Sequence, residues 1–146
     1  MNYVSEIEIL YKPRLDIVSL DKLSNVYDAI DIFRSIWEND IEYRERFYAI
    51  YLDRRNKVLG YYLLSVGSSC ATIVETKMLF QPAINLHASS IVVAHNHPSG
   101  NLKPSEADRK LTKRICEAGI ILEIPIQDHI ILTVDSFYSF AQNNII

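Results

Sequence analysis

Two histidines and an aspartate stand in the sequence at a spacing that suits a metal site. His95 and His97 are two residues apart, at the end of the apolar run 90–94. Because side chains of an extended chain alternate between its faces, both imidazoles can project to one side as the chain leaves a strand. The turn-forming residues 98–101 then reverse the chain, so that a following helix can return Asp108 to the two rings from its first turn.

Two histidines and one carboxylate are typical of catalytic rather than structural zinc. They leave a fourth tetrahedral position open for water, whereas structural sites are closed by four protein ligands. Zinc lowers the pKa of that water to about 7, so that hydroxide becomes available near neutral pH. A further carboxylate must then accept the proton. Ser105, one helical turn before Asp108, can donate its hydroxyl to the oxyanion that develops on an attacked carbonyl.

Each half of this pattern also has a simpler explanation. A single His-x-His pair is often incidental, and Ser105 with Asp108 three residues later is a helix capping box that requires no metal. The combination is far more specific, because a polar loop that carries two histidines and ends at a Ser-x-x-Asp helix start has little structural purpose. We therefore predict a zinc ion bound by His95, His97 and Asp108.

The first half of the chain is predicted to hold the elements that lie behind this site. Residues 4–11 alternate between apolar and polar, which predicts a strand ended by Pro13. Apolar residues at helical spacing over 23–37 predict an amphipathic helix, capped by Asn25 and Asp28. Two apolar and aromatic runs on either side of a polar turn predict a hairpin, with strands over 47–52 and 58–66.

The second half is predicted to carry the site itself. A helix over 78–86 would tolerate Pro82 only within its first turn. The helix that carries Asp108 is predicted to run from about Ser105 to Ala118 and to end at Gly119. The other predicted elements are a buried strand over 90–94, a strand over 128–134 and a short helix over 136–141. Strands and helices alternating in this order predict an α/β layered domain around a mixed sheet.

The composition is that of a globular chain without a strong preference for nucleic acid. The chain has 146 residues, 49% of them hydrophobic, so we expect one folded unit with a substantial core. The 15 Lys and Arg residues against 18 Asp and Glu residues give a formal net charge of −3. This balance counts modestly against a DNA partner, because dedicated nucleic-acid binders carry a basic excess.

The sequence also predicts a cytoplasmic protein without a membrane partner. No apolar run approaches the roughly 20 residues that a bilayer span requires, and residues 1–6 lack the form of a signal peptide. The two cysteines, Cys70 and Cys116, have no zinc-like spacing and are expected to be reduced, half-buried thiols.

The segment around the histidines resembles the JAMM signature of JAB/MPN-type metalloproteases, in which an upstream glutamate is followed by His-x-His-Pro and then Ser-x-x-Asp. Its wording is similar to the RadC branch: His-Asn-His-Pro-Ser-Gly begins at His95, Pro-Ser-Glu-Ala-Asp begins at Pro104, and Asp-His follows at Asp128. The resemblance covers roughly residues 43–140. The chain departs from the commoner RadC wording at residues 76–78, where Thr-Lys-Met replaces Pro-Arg-Glu, so contacts to a substrate can differ there.

This resemblance implies a three-layer JAB/MPN-like fold, a mixed β-sheet flanked by helices that is related to the cytidine deaminases. It implies one RadC-like domain over 1–146, with 1–42 as an N-terminal strand and helix extension. It also implies a zinc metallopeptidase or isopeptidase-like hydrolase acting on a peptide or protein, with a glutamate as general base. In the family that glutamate precedes a core strand, which favours Glu45, with Glu75 as the alternative.

Other functions remain open at this point. The chain could be a non-catalytic metal-binding module associated with DNA repair or mobile elements, which would hold the metal and bind DNA without hydrolysis. A nucleobase deaminase requires a Pro-Cys-x-x-Cys pair that Cys70 and Cys116 cannot supply. The His-Asn-His string does not indicate an HNH nuclease, whose named residues are dispersed. His129 beside Asp128 is either a partner that steadies the site or an ordinary structural histidine.

Overall fold

A computed structural model describes residues 4–5, 7–8, 22–37, 39–67 and 74–146. The helices are α1 (Val26–Ile36), α2 (Thr76–Asn85) and α3 (Glu106–Leu122), and the strands are β1 (Arg46–Leu52), β2 (Val58–Val66), β3 (Ser90–Asn96), β4 (Ile126–Leu132) and β5 (Phe137–Ser139). The strand predicted over 4–11 lies mostly outside the described residues. The proposed extension over 1–42 stays a prediction.

The five strands form one mixed sheet in the order β2-β1-β3-β4-β5. β1 pairs antiparallel with β2 and with β3, and β4 pairs antiparallel with β5. β3 and β4 are parallel, and because a parallel pair needs a crossover connection, the chain between them forms α3. The carboxyl ends of β3 and β4 therefore lie at the same edge of the sheet, beside the start of α3.

Helices cover both faces of this sheet and give three layers. Ile50 and Leu52 pack in a cluster with α1, whereas Ala49 and Tyr51 pack on the opposite face with α2 and α3. All seven residues of β1 and of β3 are buried, as expected for strands covered on both sides. The predicted α/β fold is confirmed. Among the described residues no helix is long and apolar enough to cross a membrane.

The first helix forms as predicted, and its cap explains where it begins. The Asn25 side chain accepts hydrogen bonds from the backbone N–H groups of Tyr27 and Asp28, at 2.8 and 3.2 Å. The Asp28 carboxylate accepts in return from the backbone N–H groups of Ser24 and Asn25. This reciprocal capping box satisfies donors that the first turn would otherwise leave unpaired.

The prediction for Pro82 was wrong. Pro82 lies well beyond the first turn of the ten-residue helix α2. A proline inside a helix removes one backbone hydrogen bond and costs about 3 kcal/mol. Leu79, Phe80 and Ala83 are buried against the sheet, and burying a large apolar side chain stabilises by about 1.5–3 kcal/mol. Tertiary packing therefore outweighs the local penalty.

The predicted end of α3 at Gly119 was also wrong, since the helix continues to Leu122. Glu123 takes the left-handed capping conformation instead, with φ 59°. The Ile124 N–H then donates to the carbonyl oxygen of Gly119 at 2.9 Å. A Cβ atom on Gly119 would lie 2.7 Å from the Ile124 carbonyl oxygen, so the returning chain passes where a side chain would otherwise stand.

We expect Gly119→Ala to destabilise the protein by about 1–3 kcal/mol, the usual cost of overpacking a close contact. The obstructing atom belongs to the backbone and cannot rotate away, so the strain exceeds the roughly 1 kcal/mol of helix propensity that alanine adds. Urea unfolding measures the difference. Gly60→Ala is the matched control, because a Cβ there meets nothing within 4 Å. Equal midpoints for both variants would contradict this account.

The last two elements differ from prediction. β4 begins at Ile126 and ends at Leu132, earlier than the predicted 128–134. The predicted helix over 136–141 was wrong, because residues Phe137–Ser139 form β5. β4 would otherwise leave one side of its backbone unpaired, and β5 pairs with that side at Ile130 to Leu132. Long-range pairing decides the structure of this segment.

Candidate metal centre

His95, His97 and Asp108 converge on one point at the edge of the sheet. The Nε2 atoms of His95 and His97 are 3.0 Å apart. Each lies 3.2 Å from a different carboxylate oxygen of Asp108, Oδ1 for His95 and Oδ2 for His97. Among the described residues, these three form the one group of His, Cys, Asp and Glu whose ligand atoms lie within 4.8 Å of one another. The convergence expected from the spacing is present.

The sheet and the loop after it place the two histidines. β3 runs to Asn96, two residues beyond the predicted strand, so His95 belongs to the strand itself. His97 follows directly, and its backbone N–H donates to the Leu132 carbonyl oxygen of the neighbouring strand at 3.0 Å. The alternation of an extended chain therefore holds through His97, and both rings project to the same side.

The capping box of α3 places the carboxylate. Asp108 is in the first turn of the helix, and its backbone N–H donates to Ser105 Oγ at 3.0 Å. The Ser105 N–H donates to Asp108 Oδ2 at 2.8 Å. The capping box considered as a simpler explanation is thus real, and it also fixes the orientation of the carboxylate toward the histidines.

The proton on His97 can be assigned from its hydrogen bond to the following loop. Its Nδ1 lies 2.6 Å from the backbone carbonyl oxygen of Asn101. A carbonyl oxygen can only accept, so Nδ1 carries the hydrogen. The Nε2 atom of the neutral ring then presents a lone pair to the convergence point.

A chain of three hydrogen bonds assigns the proton on His95 in the same way. Thr112 Oγ1 donates to the backbone carbonyl of Asp108 at 2.7 Å, so it accepts from His129 Nδ1 at 2.6 Å. Burial lowers the pKa of His129 well below its ordinary value, so this ring is neutral and has a single N–H. His129 Nε2 therefore accepts from His95 Nδ1 at 2.8 Å. In the neutral ring that a metal ligand must be, the Nε2 of His95 then has a lone pair.

The chemistry of this donor set fits a divalent cation. Two imidazole lone pairs that face each other at 3.0 Å repel unless a cation or a proton lies between them. Burial opposes ionisation of Asp108, but when protons rather than a metal ion occupy the two Nε2 atoms, the hydrogen bonds from His95 and His97 outweigh burial and lower the pKa of this carboxyl well below its usual range. The hydrogen bond to Asp108 in turn raises the pKa of His97. A proton and a metal ion thus compete for the same nitrogen.

The three residues open into a cleft of about 1190 Å³. Ser105, Glu45 and Glu75 all line it. Glu45 is half-buried, and its charge adds to the hydrogen bond to Asp108, the main cause, in raising the pKa of His97. Glu75 is exposed, and its carboxylate lies 3.6 Å from the ammonium group of Lys77. The cleft therefore holds every residue predicted for the site, and the choice between the two glutamates stays a prediction.

Comparison with known protein families identifies residues 23–145 as a RadC-like JAB domain. The chain belongs to the RadC-like JAB domain family. This RadC-like chain is 38% identical over 130 residues to a UPF0758 protein of Flavobacterium johnsoniae, covering 89% of the chain and 56% of that protein. It is 43% identical over 98 residues to a UPF0758 protein of Thermosynechococcus vestitus, covering 67% of the chain and 39% of that protein. The chain spans about half the length of these curated relatives.

The departure from the commoner RadC wording lies on the wall of the cleft. Thr76 and Lys77 begin α2 and both line the cleft. Met78 lies instead in a second, smaller groove beside Tyr62. Two residues of this departure thus lie along one side of the candidate metal-binding group, which is formed by His95, His97 and Asp108.

His129 contacts a histidine of the candidate site, and its ring does not pair with Asp128 as the sequence suggested. The ring of His129 is fully buried against His95, so it steadies one histidine of the candidate metal-binding group. The Asp128 carboxylate does not pair with that ring. It accepts hydrogen bonds from Ser139 Oγ and the backbone of Ala141, and it thereby holds the chain after β4.

Thr112 is a supporting residue that was not predicted from the sequence. It stands one helical turn after Asp108 on the same face of α3, which is the signal that was available. Threonine is common in helices, and its contact with His129 depends on the parallel pairing of β3 with β4, so the pattern alone did not distinguish it. Of the two cysteines, Cys116 is a free, half-buried thiol, and Cys70 lies outside the described residues.

If zinc is the ion of this candidate site, as the sequence predicts, we expect Thr112→Val to lower the affinity for it by about 10–100-fold, the usual effect of losing an outer hydrogen-bond partner. Valine keeps the shape of threonine but cannot accept from His129, so the tautomer of His95 is no longer held. A chelator competition titration measures the affinity. Thr112→Ser retains the hydroxyl and should bind zinc as wild type does. Equal affinities for the two variants would show that the hydroxyl has no part in holding His95.

Proposed function

We propose that this chain is a zinc-dependent hydrolase of peptide or isopeptide bonds. His95, His97 and Asp108 are the proposed zinc ligands, Glu45 the general base and acid, and Ser105 the oxyanion donor. One observation carries the proposal: two imidazole nitrogens and a carboxylate converge in an open cleft. This donor set provides three protein ligands, as catalytic zinc sites do.

Zinc bound by these residues would lower the pKa of water and polarise a carbonyl oxygen. The protein's own task is then to move one proton and to stabilise one negative charge. Glu45 is proposed to take a proton from the attacking water and to deliver it to the leaving nitrogen. A half-buried carboxylate on the cleft wall is suited to that role, because it is partly shielded from bulk water.

The surroundings of the two glutamates favour Glu45 over Glu75. Glu75 is exposed and pairs with Lys77 at the start of α2, an arrangement typical of a solvated surface carboxylate. Glu45 directly precedes β1, the strand that pairs with the histidine-bearing β3. In that register Phe47 is paired with His95 on the neighbouring strand. Glu45 therefore lies two residues from a position that is hydrogen-bonded into the strand of the proposed ligands.

Ser105 is suited to donate to a developing oxyanion. Its Oγ accepts from the Asp108 N–H, and a hydroxyl that accepts one bond still has its own hydrogen to donate. The residue is exposed and lines the cleft beside Asp108. A carbonyl oxygen placed between the metal-binding group and Ser105 could therefore receive this hydrogen bond.

The test combines elemental analysis with a substrate panel. Purified protein is loaded with zinc or treated with a chelator and is then assayed on peptides, isopeptide-linked conjugates and single- and double-stranded DNA. We expect about one zinc per chain and cleavage of a peptide or isopeptide bond that chelation abolishes and zinc restores. Bound zinc with no cleavage, together with DNA binding that weakens steeply with salt, would instead support a non-catalytic DNA-associated module.

A further inference from the structure

Asn96, between the two histidines, is a fully buried amide whose hydrogen bonds all reach one neighbouring segment. Its side chain is 0% exposed. Its Oδ1 accepts from the backbone N–H of Arg46 at 2.7 Å. Its Nδ2 donates to the backbone carbonyl oxygens of Ile41 and Arg44, each at 2.7 Å. One side chain thus joins three backbone groups of the turn that leads into β1.

Two of these bonds bracket Glu45. Arg44 and Arg46, the residues on either side of it, are both held by the same amide. The carbonyl oxygen of Glu45 accepts from the Gly67 N–H at 2.8 Å. The backbone that carries the Glu45 carboxylate is therefore fixed on both sides and has little freedom to turn away from the cleft.

An ion pair completes the enclosure of this turn. The Arg46 guanidinium binds the Asp40 carboxylate through Nε at 3.0 Å and through Nη2 at 2.7 Å. The Asp40 carbonyl oxygen accepts from the N–H groups of Tyr43 and Arg44. These contacts close the turn on itself, whereas the bonds of Asn96 attach it to β3.

The position of Asn96 links the turn to the metal-binding group. Side chains alternate along a strand, so Asn96 faces away from His95 and His97. Three consecutive residues therefore have two tasks. His95 and His97 point their rings into the cleft, and Asn96 between them holds the backbone on either side of Glu45. A shift of β3 would move all of them together.

We propose that Asn96 is a positioning residue that holds Glu45 at a fixed distance from the metal-binding group. This inference rests on the proposed function, in which Glu45 is the base. A buried side-chain amide whose donors and acceptors are all satisfied makes the backbone around it rigid. Such rigidity matters most where a catalytic group must be placed exactly. Misplacement of a catalytic group by about 1 Å can lower a rate by about 10²-fold.

The first experiment needs no enzymatic activity. Amide hydrogen exchange is compared in metal-free wild type and Asn96→Ala. We expect protection to fall by at least about ten-fold at the Arg46 amide, whose acceptor is removed, while β4 amides keep theirs. Asn96→Asp keeps the acceptor and the size but replaces the donating group, and it should loosen the backbone around Ile41 and Arg44. Unchanged protection in both variants would overturn the proposal, whatever the protein hydrolyses.

The second experiment tests the consequence for catalysis. We expect Asn96→Asp and Asn96→Ala to lower kcat by about 10²-fold with KM and zinc content unchanged. In a double variant with Glu45→Gln, the Asn96 substitution should cause little further loss, because the base it positions is already absent. A further loss as large as in wild type would show that Asn96 acts on general stability and would overturn the proposal.

Tyr51→Phe is the matched structural control. It removes a single buried hydrogen bond, from Tyr51 Oη to the Leu79 carbonyl oxygen at 2.8 Å, at a place away from Glu45. It should leave kcat within about two-fold of wild type. If the wild-type protein cleaves nothing, the proposed function fails on its own, and the exchange experiment still decides whether Asn96 holds the Glu45 turn.

Discussion

Glu45→Gln is expected to keep its zinc and to lose hydrolysis by about 10²–10⁴-fold, the usual contribution of a general base. Glutamine matches glutamate in size, so the backbone contacts of the turn should persist. The amide cannot accept a proton at neutral pH, and the attacking water then has no group to receive its hydrogen. Steady-state rates and elemental analysis of the same preparation measure the two quantities.

The other glutamate of the cleft is the control for this prediction. Glu75→Gln should cleave at the wild-type rate, because Glu75 is exposed and paired with Lys77. A large loss in Glu75→Gln with normal rates in Glu45→Gln would transfer the role of base to Glu75. Equal rates of cleavage for wild type and both variants would show that neither Glu45 nor Glu75 is the general base.

The second large effect is expected in His97→Ala, which should be purified with almost no zinc and without activity. Even an outer hydrogen-bond partner of a metal ligand contributes about 10–100-fold to affinity, so the loss of a ligand should exceed that range. The remaining pair, His95 and Asp108, would hold the ion by two groups only. Zinc content by elemental analysis and affinity by chelator competition measure the effect.

The control for His97→Ala is a histidine elsewhere on the surface. His87 is exposed and follows α2 in a left-handed conformation with φ 52°. His87→Asn keeps a residue type that tolerates this conformation, and it should bind zinc as wild type does. Full zinc content in His97→Ala would contradict the proposed ligand set.

The convergence of His95, His97 and Asp108 could be predicted from the sequence because it depends on short-range geometry. His95 and His97 share a face through strand alternation, and Asp108 follows from a capping box whose residue types are recognisable. The helix capped by Asn25 was predictable for the same reason. Each of these features is decided within a few residues.

The remaining features depend on parts of the chain that are distant in sequence. Asn96 reaches a turn about fifty positions earlier, and His129 reaches α3 only because β3 and β4 are parallel. The strand over Phe137–Ser139 forms because β4 offers an edge to pair with. Local patterns carry no information on these contacts, so the supporting residues and the last strand were not predictable from them.

The two histidines of the site are oriented by different kinds of acceptor. His97 donates to the main-chain oxygen of Asn101, whereas His95 depends on the side chains of His129 and Thr112. The His97 ring should accordingly be sensitive to an insertion or deletion in the loop, where the Asn101 side chain accepts from the Lys103 N–H at 3.0 Å and Gly100 turns the chain at φ 79°. The orientation of the His97 ring therefore depends on the length of the loop, whereas the orientation of the His95 ring depends on which side chains stand at positions 129 and 112.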